Sequence, residues 1–237
     1  MTSPLASGPW LELDEVESTQ DVLRAALASG TPPGVVFAHH QTRGRGRFER
    51  PWFSEAGRSL TMSMVFPNFA DHPRPWLVGM AVAAAAAAVV HCRLRWPNDL
   101  FLDERKIGGV VTELFPDAEG RSTPVVGIGI NLDIERFPAE LEGIATSLAI
   151  HRPSHTDPIE VGRAIVARLD DLPEPDHWED IRPIWTLFDD TPGKPYRLIS
   201  GETSTAIGIG PEGELVCAVD GETTMVLAAE ALLGREV

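Results

Sequence analysis

The stretch RWPNDLFLDERKIGGVVTEL, residues 95–114, contains two apolar runs on either side of a charged turn. The runs at residues 100–102 and 109–114 have the length and composition of β-strands. Similar apolar runs lie at residues 94–96 and 125–132. Because these strands follow one another with few helices between them, the sequence predicts an α+β fold. We expect a mixed, mainly antiparallel sheet with helices on one face.

The rest of the chain divides into two parts that differ in their sequence pattern. Further strands are predicted at residues 11–13, 35–40 and 60–66, and helices at residues 76–91, 159–172 and 178–188. Another helix should begin near Ser18, because Ser18 with Asp21 resembles a capping box. From Lys194 onward, short alternating runs are broken by glycines and turn sequences, which favours a small β-barrel. We therefore expect a larger α+β domain over residues 1–190 and a small β-barrel domain over residues 191–237.

Composition and charge limit the classes of function. The 237 residues are 43% hydrophobic, which is ordinary for a globular protein. The 35 acidic residues outnumber the 20 basic ones, and the resulting net charge of −15 disfavours nucleic acid as a partner. The sequence lacks an apolar stretch of about 18 residues and a secretory signal, so we expect a cytoplasmic protein without a membrane partner. Two cysteines, Cys92 and Cys217, are too few for a disulfide framework or a metal cluster.

The loop GRGRFERPW, residues 44–52, concentrates positive charge on this acidic chain. Alternating glycines and arginines let backbone amides approach a ligand while guanidinium groups converge on its charge. The pattern indicates a site for a small anion, and Phe48 and Trp52 are suited to cover a planar ring. A solvated basic turn or an RNA-binding segment would show the same spacing, and the loop alone does not separate these alternatives.

Residues 96–99, Trp-Pro-Asn-Asp, form the second motif. Pro97 disfavours a helical conformation for the residue before it, so a turn should present Asn98 and Asp99. Asp99 is suited to bind a magnesium ion with its waters, or a sugar hydroxyl. Lys106 begins an apolar strand and is one of two lysines beside 18 arginines, which favours a site that needs a compact ammonium group. A hairpin with a surface lysine is the alternative.

The segment GIGIN, residues 127–131, places glycines inside an apolar strand. Such glycines indicate close approach of a ligand or of another backbone. The segment lacks the G-x-G-x-x-G spacing before a helix, so no dinucleotide fold is predicted. Asn131 is suited to hydrogen-bond a base or a phosphate, although strand packing explains the pattern equally well. His39 and His40 should point to opposite faces of a strand, which argues against a shared metal ion.

In this order and spacing, the motifs resemble those of the biotin–protein ligase family from about Leu11 to the C-terminus. The start of the first helix, Ser-Thr-Gln, is similar to the family's Ser-Thr-Asn, and Gln41 with the Arg/Gly loop resembles its adenylate-binding loop. Trp-Pro-Asn-Asp, Lys-Ile-Gly-Gly, Gly-Ile-Gly-Ile-Asn and Ala-Thr-Ser-Leu at residues 145–148 are close to the family forms. The resemblance implies a class II synthetase-like biotin–lipoate ligase catalytic domain followed by an SH3-like β-barrel. It also implies that the protein forms biotinyl-5'-AMP from biotin and ATP and transfers biotin to a lysine of a biotin carboxyl carrier protein.

The resemblance further implies a role for each matching residue. Biotin would contact Ser18, Thr19, Gln20, Gln41, Arg45, Gly46, Arg47, Lys106 and Gly109. The nucleotide would contact Arg45, Arg47, Arg50, Trp52, Asn98, Asp99 and Asn131, with Mg²⁺ arriving with ATP and lying near Asp99. Lys106 and Arg45 would be the catalytic residues. The implied partner is the carrier of acetyl-CoA carboxylase or of a related biotin-dependent carboxylase, and a homodimer is possible.

Three positions depart from the family pattern. Gln20 replaces an asparagine, Arg43 stands where a small residue is common, and Glu49 replaces a glycine, which places a carboxylate near the predicted phosphate site. A lipoate or octanoate ligase of the same fold is the nearest alternative function. A biotin-sensing repressor would need an N-terminal DNA-binding domain, and the motifs begin by Ser18, too early for one. A non-enzymatic biotin-binding or RNA-binding module is an alternative of a different class.

Overall fold

The computed structural model describes residues 8–152, 156–227 and 231–233. Its larger sheet has seven strands in the order β1-β2-β3-β7-β6-β5-β4. The strands are β1 (Trp10–Val16), β2 (Val35–Gln41), β3 (Ser59–Val65), β4 (Arg93–Arg95), β5 (Asp99–Leu102), β6 (Arg105–Pro116) and β7 (Ser122–Asn131). β1 pairs with β2 in parallel, and the other five neighbouring pairs are antiparallel. The predicted mixed, mainly antiparallel sheet is therefore confirmed.

Helices cover both faces of this sheet. They are α1 (Thr19–Ala28), α2 (Trp76–Val90), α3 (Leu148–His151), α4 (Pro158–Asp170) and α5 (Trp178–Phe188). On one face, α2, α4 and α5 pack against side chains such as Val35, Met62 and Ile128. On the other face, Leu23 and Leu27 of α1 belong to a separate buried cluster.

The expectation that all helices lie on one face was wrong. Successive residues of a strand point to opposite faces, and β2 buries both Val35 and Val36. Val36 contributes to the cluster under α1, together with Val65 and Val125 of the neighbouring strands. Because this sheet carries apolar side chains on both faces, each face requires a helix to exclude water.

The start of α1 also differs from the prediction. Ser18 is the N-cap residue, but its side chain makes no capping hydrogen bond to any residue that the structure describes. The backbone N–H of Thr19, the first residue of the helix, instead donates to Oε1 of Gln41, 2.7 Å away. Asp21, the expected partner in a capping box, has its carboxylate bound by Arg45. A residue from β2 thus caps α1, which local spacing could not indicate.

The C-terminal part of the chain forms a second, five-stranded antiparallel sheet in the order β11-β10-β9-β8-β12. The strands are β8 (Pro195–Leu198), β9 (Thr203–Ile209), β10 (Leu215–Val219), β11 (Glu222–Val226) and β12 (Ala231–Leu233). Tyr196, Leu215 and Cys217 from this sheet are buried in the same hydrophobic core as α2 and α5. The predicted small domain runs to residue 237, and its residues 228–230 and 234–237 lie outside the described part. Among the helices in the described ranges, none is long and apolar enough to cross a membrane.

Candidate active site

The predicted site residues gather on the face of the large sheet that carries α1. Gly127 and Gly129 of β7 form part of the floor, and Gly109 of β6 pairs with Gly129. A Cβ atom on Gly129 would lie 2.5 Å from Nε1 of Trp52, and one on Gly127 would lie 3.2 Å from the Gln20 side chain. These glycines let Trp52 and Gln20 lie directly on the backbone of the sheet. The GIGIN segment was predicted to admit a ligand or another backbone, and the groups that approach Gly127 and Gly129 in the structure are the side chains of Gln20 and Trp52.

A polar cluster lies at the N-terminus of α1. The hydroxyl of Thr19 donates to Oε1 of Gln41 at 2.9 Å and lies 2.7 Å from Oγ of Ser63. Gln41 Oε1 thus accepts from both the backbone and the side chain of Thr19. Ser18, Thr19 and Ser63 are buried. The cluster provides fixed, uncharged hydrogen-bonding groups that are suited to a neutral polar ligand head.

Three buried polar atoms at this face have no hydrogen-bond partner among the described residues. They are Oε1 of Gln20, Nε1 of Trp52 and Oδ1 of Asn131. The side-chain amide nitrogens of Gln20 and Asn131 are already hydrogen-bonded within the protein. Gln20 Nε2 donates to Glu113 at 2.8 Å, and Asn131 Nδ2 donates to the Thr146 carbonyl at 3.0 Å. A buried polar group left unpaired costs about 1–3 kcal/mol. Two acceptors and one donor on the same face are therefore suited to a bound ligand.

The Arg/Gly loop folds as a tight hairpin. Gly46 N–H donates to the Arg50 carbonyl at 2.7 Å, and Trp52 N–H donates to the Gly44 carbonyl at 2.9 Å. At the tip, Phe48 and Glu49 both have φ of 57°. This left-handed conformation is unfavourable for residues with a Cβ atom, and glycine is the residue best suited to it. Glu49 therefore occupies a position where glycine would relieve strain.

Arg45 is surrounded by carboxylates. It donates to both oxygens of Asp21, at 2.8 and 3.1 Å, and to Glu113 at 3.3 Å, and Glu49 lies 3.9 Å away. Its hydrogen bond holds the pKa of Asp21 below its usual value, and the same bond raises the pKa of Arg45. The charge of Arg45 is thus compensated by the protein. Through these ion pairs, Arg45 links the Arg/Gly loop to α1 and to β6.

Arg47 and Lys106 form the cationic part of the site. Arg47 Nη1 donates to Oδ1 of Asn98 at 3.3 Å, and Lys106 Nζ pairs with Oδ1 of Asp99. Burial lowers the pKa of Arg47, and the nearby Asp99 carboxylate opposes that shift. A Cβ atom on Gly109 would lie 3.4 Å from both Asp99 and Lys106. Two cations beside the Asp99 carboxylate make this cluster suited to bind a phosphate or carboxylate.

Some predicted site residues are less buried than the others, and some residues at the site were not predicted from the sequence. Arg50 is exposed, while Gly46 and Trp52 are half-buried. Glu113 and Ser63 were not predicted to belong to the site, and Asp21 was predicted to cap α1. Glu113 does carry a detectable signal, because it is an acidic residue inside the apolar run of β6. In the described ranges, no group of three or more His, Cys, Asp or Glu side chains could hold a metal ion.

Comparisons with known proteins cover the part of the chain that carries most of this site. A family model described as "Biotin/lipoate A/B protein ligase family" matches residues 13–133. The chain is 34% identical over 145 residues to the bifunctional ligase/repressor BirA of Bacillus spizizenii, covering 57% of this chain and 45% of that protein. It is 32% identical over 159 residues to the biotin–[acetyl-CoA-carboxylase] ligase of Mycobacterium tuberculosis, covering 60% and 57%. The chain thus spans about half the length of these curated relatives.

A solved structure extends the similarity to nearly the whole chain. The biotin protein ligase of Aquifex aeolicus in complex with biotin and ATP superposes with a TM-score of 0.74 and 26% identity. The match covers 96% of this chain and 99% of that one. Both the large sheet and the C-terminal sheet fall within the matched region. The expected ligase-like catalytic fold with a small C-terminal β unit is confirmed.

Proposed function

We propose that this chain, which belongs to the biotin/lipoate A/B protein ligase family, is an ATP-dependent biotin–protein ligase. It forms biotinyl-5'-AMP from biotin and ATP, and then transfers the biotinyl group to a lysine of a carrier protein. The preference for biotin over lipoate is supported by the similarity to ligases named for biotin. The carrier is proposed to be the biotin carboxyl carrier protein of acetyl-CoA carboxylase or of a related carboxylase.

One observation carries the proposal. A neutral polar cluster, Thr19 with Gln41, and a cationic cluster, Arg47 with Lys106, lie on one face of the sheet. Biotin has an uncharged ureido head at one end and a carboxylate at the other. An uncharged end and an anion-binding end match this molecule and the phosphates that its carboxylate must meet.

In the first step, a carboxylate oxygen of biotin attacks the α-phosphorus of ATP, and pyrophosphate leaves with the electrons of the broken P–O bond. Two anions repel each other as they approach. Lys106 and Arg47 offset that repulsion and stabilise the charge that develops on the phosphoryl oxygens. Holding both reactants in line removes as much as about 7–11 kcal/mol of the barrier. Asp99, which pairs with Lys106 in this structure, is the carboxylate that would hold a metal ion brought by ATP.

Magnesium fits this donor set as a companion of ATP. Mg²⁺ prefers oxygen ligands and keeps several waters, so a single carboxylate such as Asp99 is enough to orient a metal carried by the phosphates. Bound there, the ion would neutralise part of the triphosphate charge.

In the second step, the neutral amine of the carrier lysine attacks the acyl carbon of the mixed anhydride. A C–N bond forms, the bond to the phosphate oxygen breaks, AMP leaves, and the amine proton passes to solvent or to AMP. The anhydride also reacts with water, so it must be shielded until the carrier arrives. The Arg/Gly loop, with Trp52 lying on the sheet, is proposed to provide that shield.

The decisive experiment incubates the purified protein with biotin, ATP, Mg²⁺ and a carrier domain, and reads the mass of the carrier. A gain of one biotinyl group on a single lysine is the expected result. Lipoate and octanoate are tested in parallel, and modification of the carrier by either of them but not by biotin would replace the proposal with the alternative ligase. Failure of all three acids would refute ligase activity toward that carrier. Light scattering of the same preparation tests the possible homodimer.

A further inference from the structure

Trp96 is held by the C-terminal part of the chain through each of its polar groups. Its backbone N–H donates to Oγ1 of Thr191 at 3.0 Å, and its carbonyl accepts from Oη of Tyr196 at 2.7 Å. Its indole Nε1 donates to the carbonyl of Gly213 at 2.8 Å. The partners are 95 to 117 positions away in sequence. Three long-range hydrogen bonds on one residue form a specific anchor.

This anchor is fully shielded from water. Trp96 is 1% exposed, and Tyr196 and Thr191 are each 0% exposed. The rings of Trp96 and Tyr196 pack edge to face with centroids 6.0 Å apart. Because buried polar groups must be paired, loss of one partner leaves an unsatisfied group with no access to water. The anchor therefore has one low-energy arrangement.

Trp96 directly precedes the turn that carries Asn98 and Asp99. Asn98 accepts from Arg47, and its own Nδ2 donates to the Val110 carbonyl. Asp99 pairs with Lys106. One end of this turn is thus fixed by the C-terminal sheet, while the other end is fixed by β6. The placement of Asn98 and Asp99 depends on both.

The phenol of Tyr196 remains a hydrogen-bond donor at any ordinary pH. Burial raises the pKa of Tyr196, and the carboxylates of Asp99 and Asp189 raise it further. Trp96, whose carbonyl accepts from this phenol, lies two residues before Asn98, which accepts from Arg47. The anchor and the anion-binding groups are therefore neighbours.

Ion pairs join the same two parts of the molecule beside Trp96. Arg95, next in sequence and 5% exposed, binds Asp190 at 2.7 Å and also Glu104. Lys194 binds Glu104 at 3.0 Å and Asp190 at 3.3 Å. These ion pairs hold the β5–β6 turn in a fixed position relative to the start of the C-terminal unit.

We infer that the C-terminal β unit is a functional part of the nucleotide site, in which Tyr196 and Thr191 are positioning residues that act through Trp96 on Asn98 and Asp99. The inference rests on the proposed function and assigns the C-terminal unit to binding of ATP. The groups suited to the biotin head, Thr19 and Gln41, lie on α1 and β2, where they are hydrogen-bonded to each other and Thr19 also to Ser63. Loss of the anchor should therefore weaken ATP binding and leave biotin binding nearly unchanged.

The test compares Tyr196→Phe with Ser204→Ala in biotin-dependent exchange of pyrophosphate into ATP. Ser204 Oγ donates to the Tyr196 carbonyl at 3.2 Å, so its loss weakens the same buried strand pair but spares the phenol. For Tyr196→Phe we expect the KM for ATP to rise about fivefold to tenfold, which is the value of one buried hydrogen bond. The KM for biotin should stay within about twofold, and Ser204→Ala should retain the wild-type KM for both substrates.

A second pair of variants keeps the test valid if Tyr196→Phe does not fold. Thr191→Val removes the hydroxyl that accepts from Trp96 N–H, whereas Thr191→Ser keeps it. We expect a raised KM for ATP in the valine variant and recovery in the serine variant. Equal ATP KM values in Tyr196→Phe and Ser204→Ala, or a parallel rise in the KM for biotin, would overturn the inference. A wild-type protein without exchange would instead refute the proposed function.

Discussion

Gly129→Ala adds one methyl group beneath the indole of Trp52. The new Cβ would lie 2.5 Å from Nε1, 2.6 Å from Cε2 and 3.0 Å from Cζ2 of that ring. Ordinary carbon contacts are about 3.5–4.0 Å, so the ring or the strand must move by about 1 Å. The strand is restrained, because Gly129 pairs with Thr61 on one side and with Gly109 on the other. Trp52 is half-buried and belongs to a loop, so the indole should move.

We expect Gly129→Ala to weaken binding of the nucleotide. Overpacking of this size costs about 1–3 kcal/mol, which corresponds to about a 5-fold to 150-fold rise in the KM for ATP. Pyrophosphate exchange measures that KM, and thermal unfolding reports whether the fold survives. The matched control is Gly208→Ala, since among the described residues nothing lies within 4 Å of the added Cβ. That variant should retain the wild-type KM.

A double-mutant cycle isolates the cause. In a Trp52→Ala background the methyl group meets no indole, so Gly129→Ala should add no further loss. If Gly129→Ala is as harmful in that background as in the wild type, the clash with Trp52 is not the cause. The assignment of Gly129 as the platform for Trp52 would then be wrong.

Three further outcomes are expected. Lys106→Ala should abolish adenylate formation in a folded protein, and near-normal pyrophosphate exchange would contradict its catalytic role. Glu49→Gly should preserve activity and slow escape of the adenylate, because glycine tolerates the φ of 57° at this position and lets the loop close without strain. Loss of adenylate formation in this variant would refute the prediction. Asp21→Asn tests the ion pair between Asp21 and Arg45. In the folded state the pKa of Asp21 lies below its ordinary value of 3.8. The ion pair therefore stabilises the fold fully above pH 3.8, and this stabilisation is lost as the pH falls through the lower folded pKa. The difference in Tm between wild type and Asp21→Asn should therefore shrink below that pH, and a constant difference would exclude the ion pair as its source.

Local chemistry made much of the fold predictable. Apolar runs predicted the strands of the large sheet and the long helices α2, α4 and α5 within a few residues of their observed bounds. The C-terminal glycines and turn residues correctly indicated further β-structure, which forms a second sheet. The side of the sheet on which α1 packs was not predictable from such runs, because an apolar strand offers similar side chains to both faces.

The candidate site was only partly predictable. The family resemblance implied that Arg47, Asn98, Asp99 and Lys106 serve one site, and the structure pairs Arg47 with Asn98 and Lys106 with Asp99. The environment of Arg45 was not foreseen, since its partner Glu113 is 68 positions away and lies on a different strand. A charge in sequence says nothing about which opposite charge will compensate it. That depends on the packing of α1 and β6 around the loop.

The sequence by itself determined where most strands and helices form, and its motifs contain most of the residues proposed to carry the chemistry of the site. Hydrophobic periodicity and turn chemistry act between near neighbours, so a single chain is enough to reveal them. The tertiary structure alone decided that Gln41 caps α1, that carboxylates compensate Arg45, and that Trp96 is anchored by Thr191, Tyr196 and Gly213. These contacts join residues 22 to 117 positions apart. Hydrogen bonds and ion pairs act over only a few ångströms, and folding sets which distant groups come within that range.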